Sequence, residues 1–142
     1  MTSALSGVST AGGLGCHGRL DRYDDPAVPP CVLVAVHDDA PPGVLREICA
    51  GAEEQGVPTG LLPDGDADAD PGARRAAEAS RLQVGVGVGP DGAVVVRHAL
   101  VADPVLALPP GAGAGDRRLA GADAARIVAG CALRARAHFV GL

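Results

Sequence analysis

The chain has 142 residues, a net charge of −5 and 47% apolar residues, yet one Phe, one Tyr and no Trp. That length suits one domain with a modest core of small side chains, one that leans on a partner for stability. The acidic balance, the scattered basic residues and the lack of aromatics to stack on bases exclude a nucleic-acid binder, and no apolar run nears the roughly 18 residues of a membrane span. All 12 basic residues are Arg, the mark of a GC-rich coding bias that also explains the wealth of Ala, Gly and Pro. The N-terminus has no basic region followed by an apolar core, so no secretory signal is expected there. Gly13-Leu14-Gly15-Cys16 resembles a lipoprotein box without its preceding signal. The expected location is the cytoplasm.

Residues 1–29 are rich in Gly, Ser, Ala and Asp and read as a disordered arm. A single α/β domain is expected over 30–142. Cys31-Val32-Leu33-Val34-Ala35-Val36 is a continuous apolar run of strand length, as in a parallel sheet buried on both faces. His37-Asp38-Asp39-Ala40-Pro41-Pro42 is the following loop. A first helix runs from about Gly43 to Gln55, with Val44, Leu45, Ile48, Cys49 and Ala52 on one face. Gly56-Val57-Pro58 stops it. Thr59 to Leu62 is a second strand, giving a strand–helix–strand unit with a right-handed crossover.

Pro63 to Gly72 reads as an acidic loop and Ala73 to Arg81 as a short helix. Gln83–Val88 and Val94–Arg97 are strands joined by Pro90-Asp91-Gly92, a connection short enough to force antiparallel pairing. Leu106 to Leu108 is an edge strand, Pro109 to Gly115 a linker, and Leu119 to Leu133 the last helix, with Asp116 or Asp123 as its cap. The order predicts a small three-layer α/β fold with a mixed sheet and flanking helices.

Gly87-Val88-Gly89-Pro90-Asp91-Gly92 matches G-x-G-x-x-G, but the glycines lead into a strand. A dinucleotide fingerprint must open a helix whose amides face the pyrophosphate. A hairpin turn is the better reading, beside a strand whose alternating glycines leave one bare face for another element. Asp64-Gly65-Asp66-Ala67-Asp68-Ala69-Asp70 fails as a calcium loop because no register supplies both the central Gly and the terminal Glu. His37-Asp38-Asp39 could hold a ligand at a strand end, but capping of the next helix is favoured. Cys16, Cys31, Cys49 and Cys131 match no metal spacing and read as reduced thiols. His17, His98 and His138 are isolated, and no nucleophile–base arrangement emerges.

Glu53 and Glu54 are the anomaly. They end the first helix, where its dipole makes each carboxylate cost roughly 0.3–1 kcal/mol. Such a pair is either a solvated helix end or faces a cation or partner.

Three blocks carry a family resemblance: Glu53-Glu54-Gln55-Gly56-Val57-Pro58, Arg81-Leu82-Gln83-Val84-Gly85-Val86-Gly87, and the segment from Ala120 to Gly130. In this order and spacing they resemble the small subunit of the diol/glycerol dehydratase reactivating factor, whose members read E-E-x-G-[IV]-P, S-x-L-x-V-G-[IV] and L-G-x-N-A-A-R-L-V-K-G. Asp123 stands where the family has Asn, and Ala129 where it has Lys. The resemblance implies a fold like the dehydratase medium subunit and a non-catalytic chaperone role. Such factors release damaged cobalamin from adenosylcobalamin-dependent dehydratases by ATP-dependent subunit exchange. It further implies two partners, a large ATPase subunit that binds ATP or ADP and, transiently, the dehydratase large subunit.

No cofactor is expected on this chain alone. By resemblance, Glu54 reaches Mg2+ at the interface with the large subunit, and Glu53, Glu54, Gly85 and Gly87 are the expected partner surface. The alternatives are a subunit of the dehydratase itself, or a solitary ligand-binding module. Microcompartment association and the choice of diol or glycerol stay open.

Overall fold

The computed structural model describes residues 26–62 and 65–130. The expected arm at 1–29 therefore falls almost wholly outside the described residues, as do Cys16, His17, Asp64, Cys131, His138 and the expected end of the last helix.

Five strands form one mixed sheet: β1 (Val32–Val36), β2 (Thr59–Leu61), β3 (Val84–Val88), β4 (Val94–His98) and β5 (Leu106–Leu108). The spatial order is β2-β1-β3-β4-β5. β1 pairs parallel with β2 and β3, while β3–β4 and β4–β5 are antiparallel. The described helices are α1 (Val44–Glu54), α2 (Ala69–Ala79) and α3 (Ala114–Ala129). This is the expected three-layer α/β fold. α1 and α3 cover one face of the sheet, and α2 covers the other.

The alternation of side chains along each strand explains the layers. Val32, Val34, Val84, Val86, Val88, Val94, Val96 and Leu106 point to the α1/α3 side, where each is at most 1% exposed. Leu33 and Ala35 point to α2 with Ala76. β-Branched valines suit a pleated surface buried on both sides, so a core with few aromatics still closes.

Several boundaries differ from the sequence reading. α2 begins at Ala69 rather than Ala73. Pro71 sits in its first turn, where a missing N–H costs nothing. α3 begins at Ala114 with Gly113 as its N-cap, so neither Asp116 nor Asp123 caps it. Asp123 lies mid-helix, 1% exposed, with Arg126 Nη1 at 3.4 Å from its Oδ1. Cys31 is free and buried, as expected. Cys49 is disulfide-bonded, which overturns the reduced-thiol reading there; its partner lies outside the described residues.

Two glycines let α1 and α3 cross with backbones nearly touching. A Cβ on Gly51 would lie 1.8 Å from the carbonyl oxygen of Arg118, and one on Gly121 would lie 1.9 Å from that of Ile48. Helix-interior glycines cost roughly 1 kcal/mol against Ala, so their presence marks this approach.

Candidate functional site

α1 ends as the sequence predicts. Glu54 is its last residue, and Gly56 follows at φ 79°, the left-handed conformation of a helix stop. The amide of Gly56 donates to the Glu53 carbonyl and that of Val57 to the Ala52 carbonyl. Glu53 and Glu54 are both exposed.

Glu47, Gly51 and Glu54 lie on one face of α1, since side chains three and four apart stack along a helix. Gly51 admits the backbone of Arg118, and the Arg118 side chain therefore falls between the two carboxylates. Its Nε lies 3.5 Å from Glu47 Oε1 and 3.8 Å from Glu54 Oε2. The Glu54 side chain is 55% exposed, that of Arg118 48% and that of Glu47 28%. Exposed pairs of this kind contribute about 0–1 kcal/mol. Arg118 nonetheless places positive charge beside the negative end of the α1 dipole. The cation that Glu54 called for is thus partly supplied from within the chain.

The sequence points to Glu54 but not to the residues that surround it in the structure. Glu47 was recoverable from its helical spacing to Glu54. Arg118 was not, because the helix expected from the sequence begins at Leu119, one residue after it.

Gly85 and Gly87, expected at a partner surface, are buried instead. A Cβ on Gly87 would lie 1.9 Å from the Ala69 carbonyl oxygen, and one on Gly85 would lie 2.2 Å from the Ala77 nitrogen. The element that approaches their bare face is the chain's own α2. The Gly87–Gly92 run is a hairpin, as expected, with Val88 opposite Val94 and the Ala93 amide donating to Asp91 Oδ1 at 3.0 Å.

His37-Asp38-Asp39 does not cap α1. The N-cap is Gly43, at φ 92° and with no side-chain bond. His37 Nδ1 accepts from the Asp39 amide at 3.0 Å, so the triplet closes its own turn. An open cavity of about 500 Å³ lies at the carboxyl ends of β1 and β2, lined in part by His37, Asp38, Leu45, Arg46 and Leu61. It lies at the N-terminal end of α1, whereas Glu54 is the last residue of that helix.

Among the described residues, no group of three or more His, Cys, Asp or Glu converges to hold a metal ion. Magnesium is commonly held by one or two carboxylates, with water and other ligands completing its shell. Glu54 fits that role as one ligand of a site shared with another chain, and Arg118 marks the position as one that attracts a cation. A complete cage within the described residues does not fit.

A family model described as the dehydratase medium subunit matches residues 29–134. The chain belongs to that family. Among solved structures of dehydratase-related proteins, it is similar to a glycerol dehydratase reactivase chain at 31% identity and a TM-score of 0.71, covering 75% of this chain and 98% of that one. It is also similar to a chain of a diol dehydratase-reactivating factor complexed with ADP and Mg2+, at 29% identity and a TM-score of 0.68, covering 76% of this chain and 100% of that one. No curated protein matches it. The matched portion of this dehydratase medium subunit relative includes the whole sheet, α1 and the Glu54 corner. Among its described residues, no helix is long and apolar enough to cross a membrane.

Proposed function

We propose that this chain is the small, non-catalytic subunit of a reactivating factor for an adenosylcobalamin-dependent diol or glycerol dehydratase. The supporting observation is coverage: the fold spans 98% and 100% of two reactivase chains. A large partner subunit carries the ATPase and the nucleotide. The small subunit exchanges with the medium subunit of the inactivated dehydratase, which has the same family fold, and damaged cobalamin leaves. In this reading the chain contributes a shape that fits two hosts, not a reaction.

Glu54 is the residue proposed to face a divalent cation between the small and large subunits, with Glu53 beside it on the same surface. Bound there, the cation would supply positive charge joining the two chains. α1 sets the position of the carboxylate, and the Gly51–Gly121 crossing holds α1 against α3.

A second reading, a subunit of the dehydratase itself, is favoured by the description of the matching family. Co-expression separates the two. A chain that copurifies with the candidate large ATPase subunit, in a complex that restores an inactivated dehydratase only with ATP and Mg2+, supports the reactivating factor. Copurification with dehydratase subunits and cobalamin, without the ATPase subunit, overturns it in favour of the second reading.

A further inference from the structure

We infer that Arg118 and a divalent cation compete for Glu54, and that Glu47 is the site to which Arg118 withdraws when the cation binds. The inference rests on the proposed intersubunit role of Glu54 and concerns how that site is regulated. Arg118 lies between two carboxylates at similar distances, 3.5 Å from Glu47 and 3.8 Å from Glu54. Neither contact is a short charge-assisted hydrogen bond, which would bring N and O to about 2.7–2.9 Å. The side chain is half-exposed and long, so it can shift from one acid to the other.

A magnesium ion bound to Glu54 Oε2 at about 2.1 Å would lie within about 6 Å of Arg118 Nε as it now stands, since that nitrogen is 3.8 Å from the same oxygen. Two like-charged groups so close repel. In a solvated setting the repulsion between a dication and a unit charge at about 6 Å weakens cation binding roughly tenfold, and salt screening brings this to about three- to tenfold. Glu47 relieves the conflict because Arg118 can leave Glu54 without losing a carboxylate partner. In the free subunit, Arg118 keeps Glu54 occupied by a weak internal cation. On assembly, the stronger cation takes its place.

The experiment measures the Mg2+ concentration at half-maximal assembly with the large ATPase subunit, using calorimetry or analytical ultracentrifugation on the full chain. Arg118→Met should lower that midpoint about three- to tenfold, and Arg118→Gln should lower it similarly. Glu47→Gln should raise the midpoint in the native background and have little effect in the Arg118→Met background, because its action passes through Arg118. The melting temperature of the isolated chain should hardly move in any of these variants. An unchanged or raised midpoint in both Arg118 variants overturns the competition, as does an equal Glu47→Gln effect in the two backgrounds. Glu54→Gln tests the underlying reading separately: it should abolish the Mg2+ dependence. Native dependence in that variant removes Glu54 from the metal role and the competition with it.

Discussion

Replacing Gly121 by Ala adds one methyl group where α3 crosses α1. That carbon would stand 1.9 Å from the carbonyl oxygen of Ile48. No rotamer relieves the clash, because both partners are backbone. The helices must part by about 1 Å, and a close-packed interior resists such a move. Overpacking of this kind costs about 1–3 kcal/mol, with backbone against backbone at the upper end. Alanine's better helix propensity returns about 1 kcal/mol. The net expectation is about 2 kcal/mol of destabilisation, or a melting temperature lower by about 8 °C for a domain of this size. Gly115 is the internal control. It lies in the first turn of the same helix, and a Cβ there meets nothing within 4 Å. Gly115→Ala should leave the melting temperature unchanged or raise it by a few degrees. Thermal and urea unfolding followed by circular dichroism reads both variants. A Gly121→Ala protein that melts at or above the native temperature would refute the crossing geometry and, with it, the placement of Arg118 between Glu47 and Glu54.

Three further outcomes follow from buried polar groups. Arg97 is 7% exposed and donates to Asp70 from Nε at 2.7 Å and from Nη2 at 3.1 Å, and from Nη1 to the Ala102 carbonyl at 2.8 Å; Asp70→Asn should cost about 1–3 kcal/mol in urea unfolding, because it removes the charge partner of a buried guanidinium. Thr59 is fully buried and its hydroxyl has no partner among the described residues, so Thr59→Val should stabilise by about 1 kcal/mol in the same assay. Burial pushes the Cys31 thiol up to about 11, with the Arg81 charge acting in the opposite direction. The folded state then holds its proton where the unfolded chain has lost it, so stability is intact below about pH 9 and declines as pH rises toward 11. A Cys31→Ala variant should lack that part of the decline in unfolding curves taken across this range.

The sheet was legible because its strands announce themselves. Val32–Val36 is a continuous apolar run rich in valine, Val94–His98 opens on three consecutive valines, and the turn at Pro90-Asp91-Gly92 permits only a hairpin. The helix starts were harder. Pro71 made the start of α2 look like a loop, although a proline is harmless in a first turn. The glycines of 111–115 suggest a linker, which puts the expected start of α3 too late and makes Asp116 or Asp123 look like its cap. Gly85 and Gly87 correctly signalled a close approach, but a sequence does not say which element approaches. The helix dipole alone marks the pair Glu53-Glu54 as unusual, and only the family resemblance singles out Glu54. Its relation to Arg118 is not legible, because that contact exists only once Gly51 and Gly121 bring two distant helices together.

The most direct test of the account is cobalamin release. A dehydratase inactivated with bound cyanocobalamin is incubated with this chain, the large ATPase subunit, ATP and Mg2+, and the free corrinoid is measured by absorbance after filtration. The account predicts release that requires both subunits and ATP, together with appearance of this chain in complex with the dehydratase large subunit. Release by the large subunit alone at the same rate, or no release when an assembled complex of both subunits is supplied with ATP, would contradict it.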